Sequence, residues 1–341
     1  MRYWIIDALG KIGAIPELHL LLTNQPTVAQ QGQILAWLAH LNDGQTMPDT
    51  AQLVIEGGRI DTATIRQALV KIAAVEICPV LAMKLREGKL RNGEPIDNAL
   101  CRDAALFMAQ LGSREAIPFL CRFVPLNLPH PVMQMSGGKT WRSSTSTHEE
   151  VERDRVVEAL GQLRAEAAAT NLIPLQDVNV AGTVYSVRIA DVALSRIGNR
   201  ESIPVLLDHA QDTSNPVQSQ ILLNLNVALD ERLWNQVEES TFQWLYVMTI
   251  DAIAAKITTD SKIAVTIDYR PPDEKSWPKA NSHVGNVKLG LEQIISALSR
   301  TEKTPYTAII RNKTIHVLPV DEAIKEWRTL ISQKKLIKSN K

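Results

Sequence analysis

Two stretches of the chain read almost as copies of each other: RDAALFMAQLGSREAIPFL at 102–120 and RIADVALSRIGNRESIPVL at 188–206 superimpose without a gap, Gly112 falling on Gly198 and Pro118 on Pro204. In the first, Ala105, Met108, Ala109 and Leu111, with Ala104 beside them, recur at helical spacing, so one face is made for burial. The glycine suits the left-handed conformation of a helix C-cap. The proline suits the first turn of the next helix, where its missing N–H would have had no partner. Each stretch is therefore expected to be a helical hairpin. Ala104, Ala105, Ala190 and Ala193 let a neighbouring helix come close, and hairpins that cannot bury their faces alone gain stability by stacking.

Outward from this pair, weaker copies occupy 7–20 (DALGKIGAIPELHL), 66–81 (RQALVKIAAVEICPVL) and 155–175 (RVVEALGQLRAEAAATNLIPL). Recurrence at a period in the thirties is the mark of a repeat array. The fold class expected is mostly α, an α-solenoid of helical hairpins over 1–238 followed by a small α+β module. The array is interrupted near 125–149 by PLNLPHPVMQMSGGKTWRSSTSTHE, rich in Pro, Gly, Ser and Thr and without apolar periodicity, which reads as a long exposed loop. A smaller break is expected at 176–186.

These residues resemble HEAT-like repeats of the short kind found in phycobilisome-lyase-type and many other bacterial HEAT proteins. The resemblance covers about two thirds of the chain. It implies a scaffold, and, because some members attach chromophores, a chromophore-lyase-like protein as an alternative. Fold likeness alone assigns no chemistry.

Over 239–331 the pattern changes. A helix is expected at 240–256, then a strand at 262–270 whose β-branched residues alternate (KIAVTIDYR), a loop at 271–284, a helix at 287–298 and a hairpin with arms 306–310 and 314–318. Asn312 can supply the positive φ that the tight turn needs. VKLGLEQIISAL and YTAIIRNKTIHVLP resemble the short N-terminal domain of secretins and TonB-dependent transducers, a likeness that implies contacts with other proteins. It also opens a third reading, an envelope-associated component of such a system. A helix at 321–331 precedes a basic tail at 332–341 that carries Lys334, Lys335, Lys338 and Lys341.

Composition narrows the function classes. Of 341 residues 45% are hydrophobic and 22% charged, which excludes a wholly disordered or collagen-like chain. The 37 basic and 37 acidic side chains cancel, so no bulk field favours nucleic acid. No window has the run of about 18 apolar residues of a spanning helix. Cys78, Cys101 and Cys121 are odd in number and lack CxxC spacing, so they read as buried thiols. The start is interrupted by Asp7, Lys11, Pro16 and Glu17 and reads as folded helix, not a secretory leader. A cytoplasmic location is expected if Met1 is the true start, a periplasmic or envelope one if a signal peptide precedes it.

Chemistry is sparse. MSGGKT at 135–140 lacks the first glycine of a phosphate loop, since Met133 stands there. His130, His148, Glu149 and Glu150 share the long loop without metal-ligand spacing. Asp7, Asp103 and Asp191 read as polar contacts between stacked hairpins. Neither catalytic, cofactor-binding nor metal-ligating residues are expected. The candidate partner-binding residues are Lys139, Trp141 and Arg142 in the long loop and Trp277 before the second helix of the module, since Trp and Arg are favoured anchors at interfaces. The expected function is a non-enzymatic protein–protein interaction scaffold.

Overall fold

The computed structural model describes residues 3–56, 60–124, 132–134, 140–142, 148–212, 214–244, 246–268, 278–280 and 283–339. These residues are mostly helical with a few small sheets, and the chain divides into two compact units, Met1–Leu172 and Ile173–Lys341.

The first unit is a succession of helix pairs: α1 (Tyr3–Lys11) with α2 (Ile15–Thr23), α3 (Val28–His40) with α4 (Met47–Glu56), α5 (Ile60–Ile72) with α6 (Cys78–Glu87), α7 (Asn98–Gln110) with α8 (Ile117–Leu120), and α9 (His148–Gln162) with α10 (Ala169–Leu172). One turn ends the first helix of each pair. Gly13, Asn42, Ala73, Gly112 and Arg164 all have positive φ, from 48° to 76°. The N–H of the residue after each donates to a carbonyl five residues back: Ala14 to Leu9, Asp43 to Leu38, Ala74 to Leu69, Ser113 to Met108 and Ala165 to Leu160, at 2.9–3.0 Å. This is the Schellman closure. A left-handed conformation costs a non-glycine residue about 1–2 kcal/mol. An unpaired buried carbonyl costs about 1–3 kcal/mol, and Leu38, Leu69 and Leu160 are buried, so the turn persists even where its central residue carries a side chain.

The α3–α4 pair escapes a search for Gly and Ile-Pro, yet its register is the same. Pro48 follows Asn42 at the offset that separates Ala73 from Pro79, Gly112 from Pro118 and Gly198 from Pro204. The stretch 125–149 is not loop throughout: β1 (Val132–Gln134) pairs antiparallel with β2 (Thr140–Arg142), and α9 already begins at His148.

Successive pairs are joined by apolar packing and by polar contacts. Ile6, Leu18, Ile34 and Leu38 form one cluster. Asp7 Oδ1 accepts from Gln33 and from Trp37 Nε1, at 3.0 Å for the indole. Arg102 reaches Glu152 at 3.2 Å. The aspartate of α1 thus does bridge neighbouring hairpins, through an amide and an indole.

The second unit opens with α11 (Val178–Ala181), α12 (Val184–Ile197), α13 (Ile203–Gln211), α14 (Gln218–Leu225) and α15 (Glu231–Glu239). Then come β3 (Thr241–Trp244), β4 (Met248–Thr249), α16 (Ile250–Ser261), β5 (Ala264–Ile267), β6 (Lys279–Ala280), β7 (His283–Asn286), α17 (Val287–Glu302), β8 (Tyr306–Arg311), β9 (Thr314–Pro319) and α18 (Val320–Ser339). The helix expected at 240–256 begins only at Ile250. Thr241 to Trp244 is strand because Phe242 and Trp244 alternate inward, their rings 5.1 Å apart. β3 pairs with β7 and β4 with β6, both antiparallel. The three-stranded sheet runs β5-β9-β8, parallel then antiparallel, and α18 carries helix past Ile331 into the stretch read as a tail.

The expected boundary at 238/239 falls inside this unit because helices and sheet share one core. Leu223, Val227, Trp234 and Val237 belong to the same cluster as Phe242, Ile257, Leu291, Ile294, Ala308 and Val317. Asn226 ties the two parts covalently distant in sequence: its Nδ2 donates to the Ala308 carbonyl and its Oδ1 accepts from the Ile310 N–H, both at 2.8 Å. One fully buried amide thereby serves the edge strand β8 as a neighbouring strand would.

Candidate functional site

A concave site in the first unit lies across α5, α7 and α9. It is a groove of about 680 Å³. From α5 come Arg66, Gln67, Val70 and Lys71; α7 supplies Asp103, Leu106, Phe107 and Gln110; α9 supplies Arg155, Glu158 and Gln162. The register of the closing turns explains this set. Lys71, Gln110 and Gln162 each stand two residues before the left-handed residue of their own turn, so the groove is lined at equivalent positions of three turns.

Open space separates α5 from α7 in the groove. The link between α6 and α7 holds an ordered turn, with Leu90 N–H on Glu94 C=O at 2.8 Å and Ile96 N–H on Gly88 C=O at 2.9 Å. It lengthens this hairpin relative to its predecessors. Arg66 spans the space: its Nε donates to the Val54 carbonyl at 3.2 Å and its guanidinium carbon stands 5.7 Å from the Phe107 ring centroid. Burial pulls its pKa below the ordinary arginine value, with Asp103 pulling the other way.

Charges around the groove are unevenly compensated. Arg155 is 3.2 Å from Glu152, and Asp103 is 3.7 Å from Arg102. Glu158 accepts from Gln162 at 3.5 Å. Among the described residues neither Lys71 nor Arg66 has a carboxylate within ion-pair distance, and Gln67 and Gln110 have no hydrogen-bond partner for their amides.

Two of the four partner-binding candidates fall among the described residues. Trp141 and Arg142 are neighbours on β2, opposite Met133 and Val132. Lys139 and Trp277 lie outside the described residues, as does His130. His148 and Glu149 sit in the first turn of α9. Cys78 is buried and its thiol is pushed up to about 11, chiefly by desolvation; Cys101 and Cys121 are raised by the same cause, so none is poised as a nucleophile. Among the described residues no group of three or more His, Cys, Asp or Glu side chains could hold a metal ion, and no helix is long and apolar enough to cross a membrane.

Sequence reading missed a second polar cluster, in the other unit. Asp191 on α12, fully buried, accepts from His209 Nδ1 at 2.8 Å and from Gln176 Nε2 at 3.0 Å. The hydrogen bond to Asp191 raises the His209 pKa against partial burial, with the charges of Asp191, Asp208 and Asp212 adding to the rise. The signal was present: His209 lies on α13, the second helix of the second repeat copy, and faces back on the aspartate of that copy's first helix. Ser195, on the same helix as Asp191, donates to the Val192 carbonyl and accepts from Asn224.

No family model, curated protein or solved structure matches this chain.

Proposed function

We propose that the chain is a non-enzymatic scaffold: a HEAT-like α-solenoid that binds a protein partner along the first helices of its hairpins, followed by a small α+β module. The observation that supports this reading is the groove over α5, α7 and α9, lined from three equivalent repeat positions by Lys71, Gln110 and Gln162. The identical closing turns are what solenoid stacking requires, because each hairpin then meets its neighbour in the same register. Arginine, glutamine and a stacked aromatic suit recognition of polypeptide more than the enclosed apolar pockets that hold small cofactors.

The test is site-specific photocrosslinking in cells of the source, with a photoreactive residue in place of exposed Gln110 and, as control, of exposed Thr259 in the second unit. A discrete protein adduct at Gln110 that is absent at Thr259 is the expected result. Equal labelling at both positions, or none at Gln110, overturns the proposal.

A further inference from the structure

The first helix pair leaves a stacking face uncovered. Gln33 and Trp37 stand nine and five residues before Asn42, the left-handed residue of their turn, and both reach back to Asp7 on α1. Thr64 stands nine residues before Ala73, and a Cβ added to Gly32 of α3 would meet its Cγ2 at 3.3 Å. These register positions are the ones by which a first helix meets the pair before it. In α1 the same positions, counted from Gly13, are Trp4 and Ala8, and both are exposed. Ile12 lies one turn further on, and its N–H donates to the Ala8 carbonyl at 3.1 Å, so helical geometry continues to it. Trp4 is 62% and Ile12 76% exposed, an apolar stripe on the outside of the molecule.

What fits this stripe follows from its spacing. Trp4, Ala8 and Ile12 are four residues apart and share one face of α1, in the order large, small, large. Such a stripe is complementary to itself when reversed. Laid antiparallel on its own copy about a two-fold axis through Ala8, Trp4 of each helix meets Ile12 of the other, and the two alanines at the axis let the backbones come close. Antiparallel helices also set each N-terminus beside a C-terminus, so their dipoles attract. Lys11, exposed beside the stripe, falls at the rim where its charge stays in water. We propose that α1 docks antiparallel on α1 of a second copy of this chain, Trp4 packing on Ile12 across a two-fold axis at Ala8.

The experiment is sedimentation of the full-length chain over a range of concentrations, beside Ala8→Glu. The natural chain should show a dimer whose share grows with concentration. Ala8→Glu sets two carboxylates against each other at the axis and should raise the dissociation constant by about tenfold or more. Ala8 is exposed, so the variant should keep the unfolding midpoint of the natural chain at concentrations where both are monomeric. Cysteine variants fix the geometry. Under mild oxidation by dioxygen Ala8→Cys should give a covalent dimer in excess of the natural chain, since Cα atoms at the axis come within the about 4.4–6.8 Å that a disulfide spans, whereas Trp4→Cys should not. A chain that stays monomeric throughout, a dimer that Ala8→Glu leaves intact, open-ended polymers, or Trp4→Cys cross-linking as readily as Ala8→Cys would each overturn the proposal.

Discussion

The two halves of the molecule close their cores differently. Up to Leu172 each helix pair described ends its first helix on its own carbonyl, a bond between residues five apart. From Ile173 onward the decisive bonds join residues more than eighty positions apart, as Asn226 does with Ala308 and Ile310, or Thr307 with the Ser219 carbonyl. Local closure makes a structure tolerant of substitution at any one turn. A shared core makes single residues indispensable.

The comparison breaks most sharply at Asn226. Truncation to alanine leaves the Ala308 carbonyl and the Ile310 N–H buried without partners, at about 1–3 kcal/mol each. Asn226→Ala is expected to lower the unfolding midpoint of the full chain by an amount corresponding to about 3 kcal/mol and to accelerate hydrogen exchange in β8 while leaving α3 and α5 unchanged. Equal acceleration in both units would remove the distinction. Next come the paired glycines. Gly112→Ala meets only the left-handed backbone, because nothing lies within 4 Å of the added Cβ, and should cost about 1–2 kcal/mol. Gly198→Ala adds a Cβ placed 2.6 Å from Val227 Cγ1, so it should cost about 1 kcal/mol more. Identical unfolding midpoints would show that the second unit yields at this point as easily as the first.

A smaller effect concerns pH. His209 has its pKa raised in the folded chain, chiefly by the hydrogen bond to Asp191. Its contribution to stability is therefore complete below the unfolded histidine value of about 6.5 and fades as pH rises through the higher folded value. Denaturant midpoints of the second unit should fall as pH rises above about 6.5, and His209→Gln should flatten that slope; an unchanged slope would exclude the pair as its origin. Smallest of all, Ala73→Gly relieves a left-handed alanine and should raise the stability of the first unit by under about 1 kcal/mol, since the added freedom of the unfolded chain offsets part of the gain.

Helix pairing was legible in the sequence wherever the closing residue is glycine, as at Gly112 and Gly198, and faint where it is Asn42, Ala73 or Arg164, because the backbone tolerates side chains there once the buried carbonyl demands the turn. The α+β order was legible from period-two and helical stripes, except at Phe242 and Trp244. Two inward aromatics beside a helical stripe look like its continuation. The groove was not legible, for it depends on which helices packing brings together, and no local pattern announces the space left between two helices. The aromatic and cationic residues of the long loop drew attention because their types favour binding, whereas Gln67, Gln110 and Lys71 are ordinary surface residues until their register is known.

The border of the three-stranded sheet at β8 carries a further consequence. A bare strand margin invites a foreign chain to lengthen the sheet, which is how many folded proteins begin to associate without control. Here an inward amide from a helical turn occupies the middle of that margin, so recruitment there must first expel a side chain from the interior. The same residue that welds helices to sheet is a guard against polymerisation, and a chain that lost it would be exposed to self-association while still largely folded.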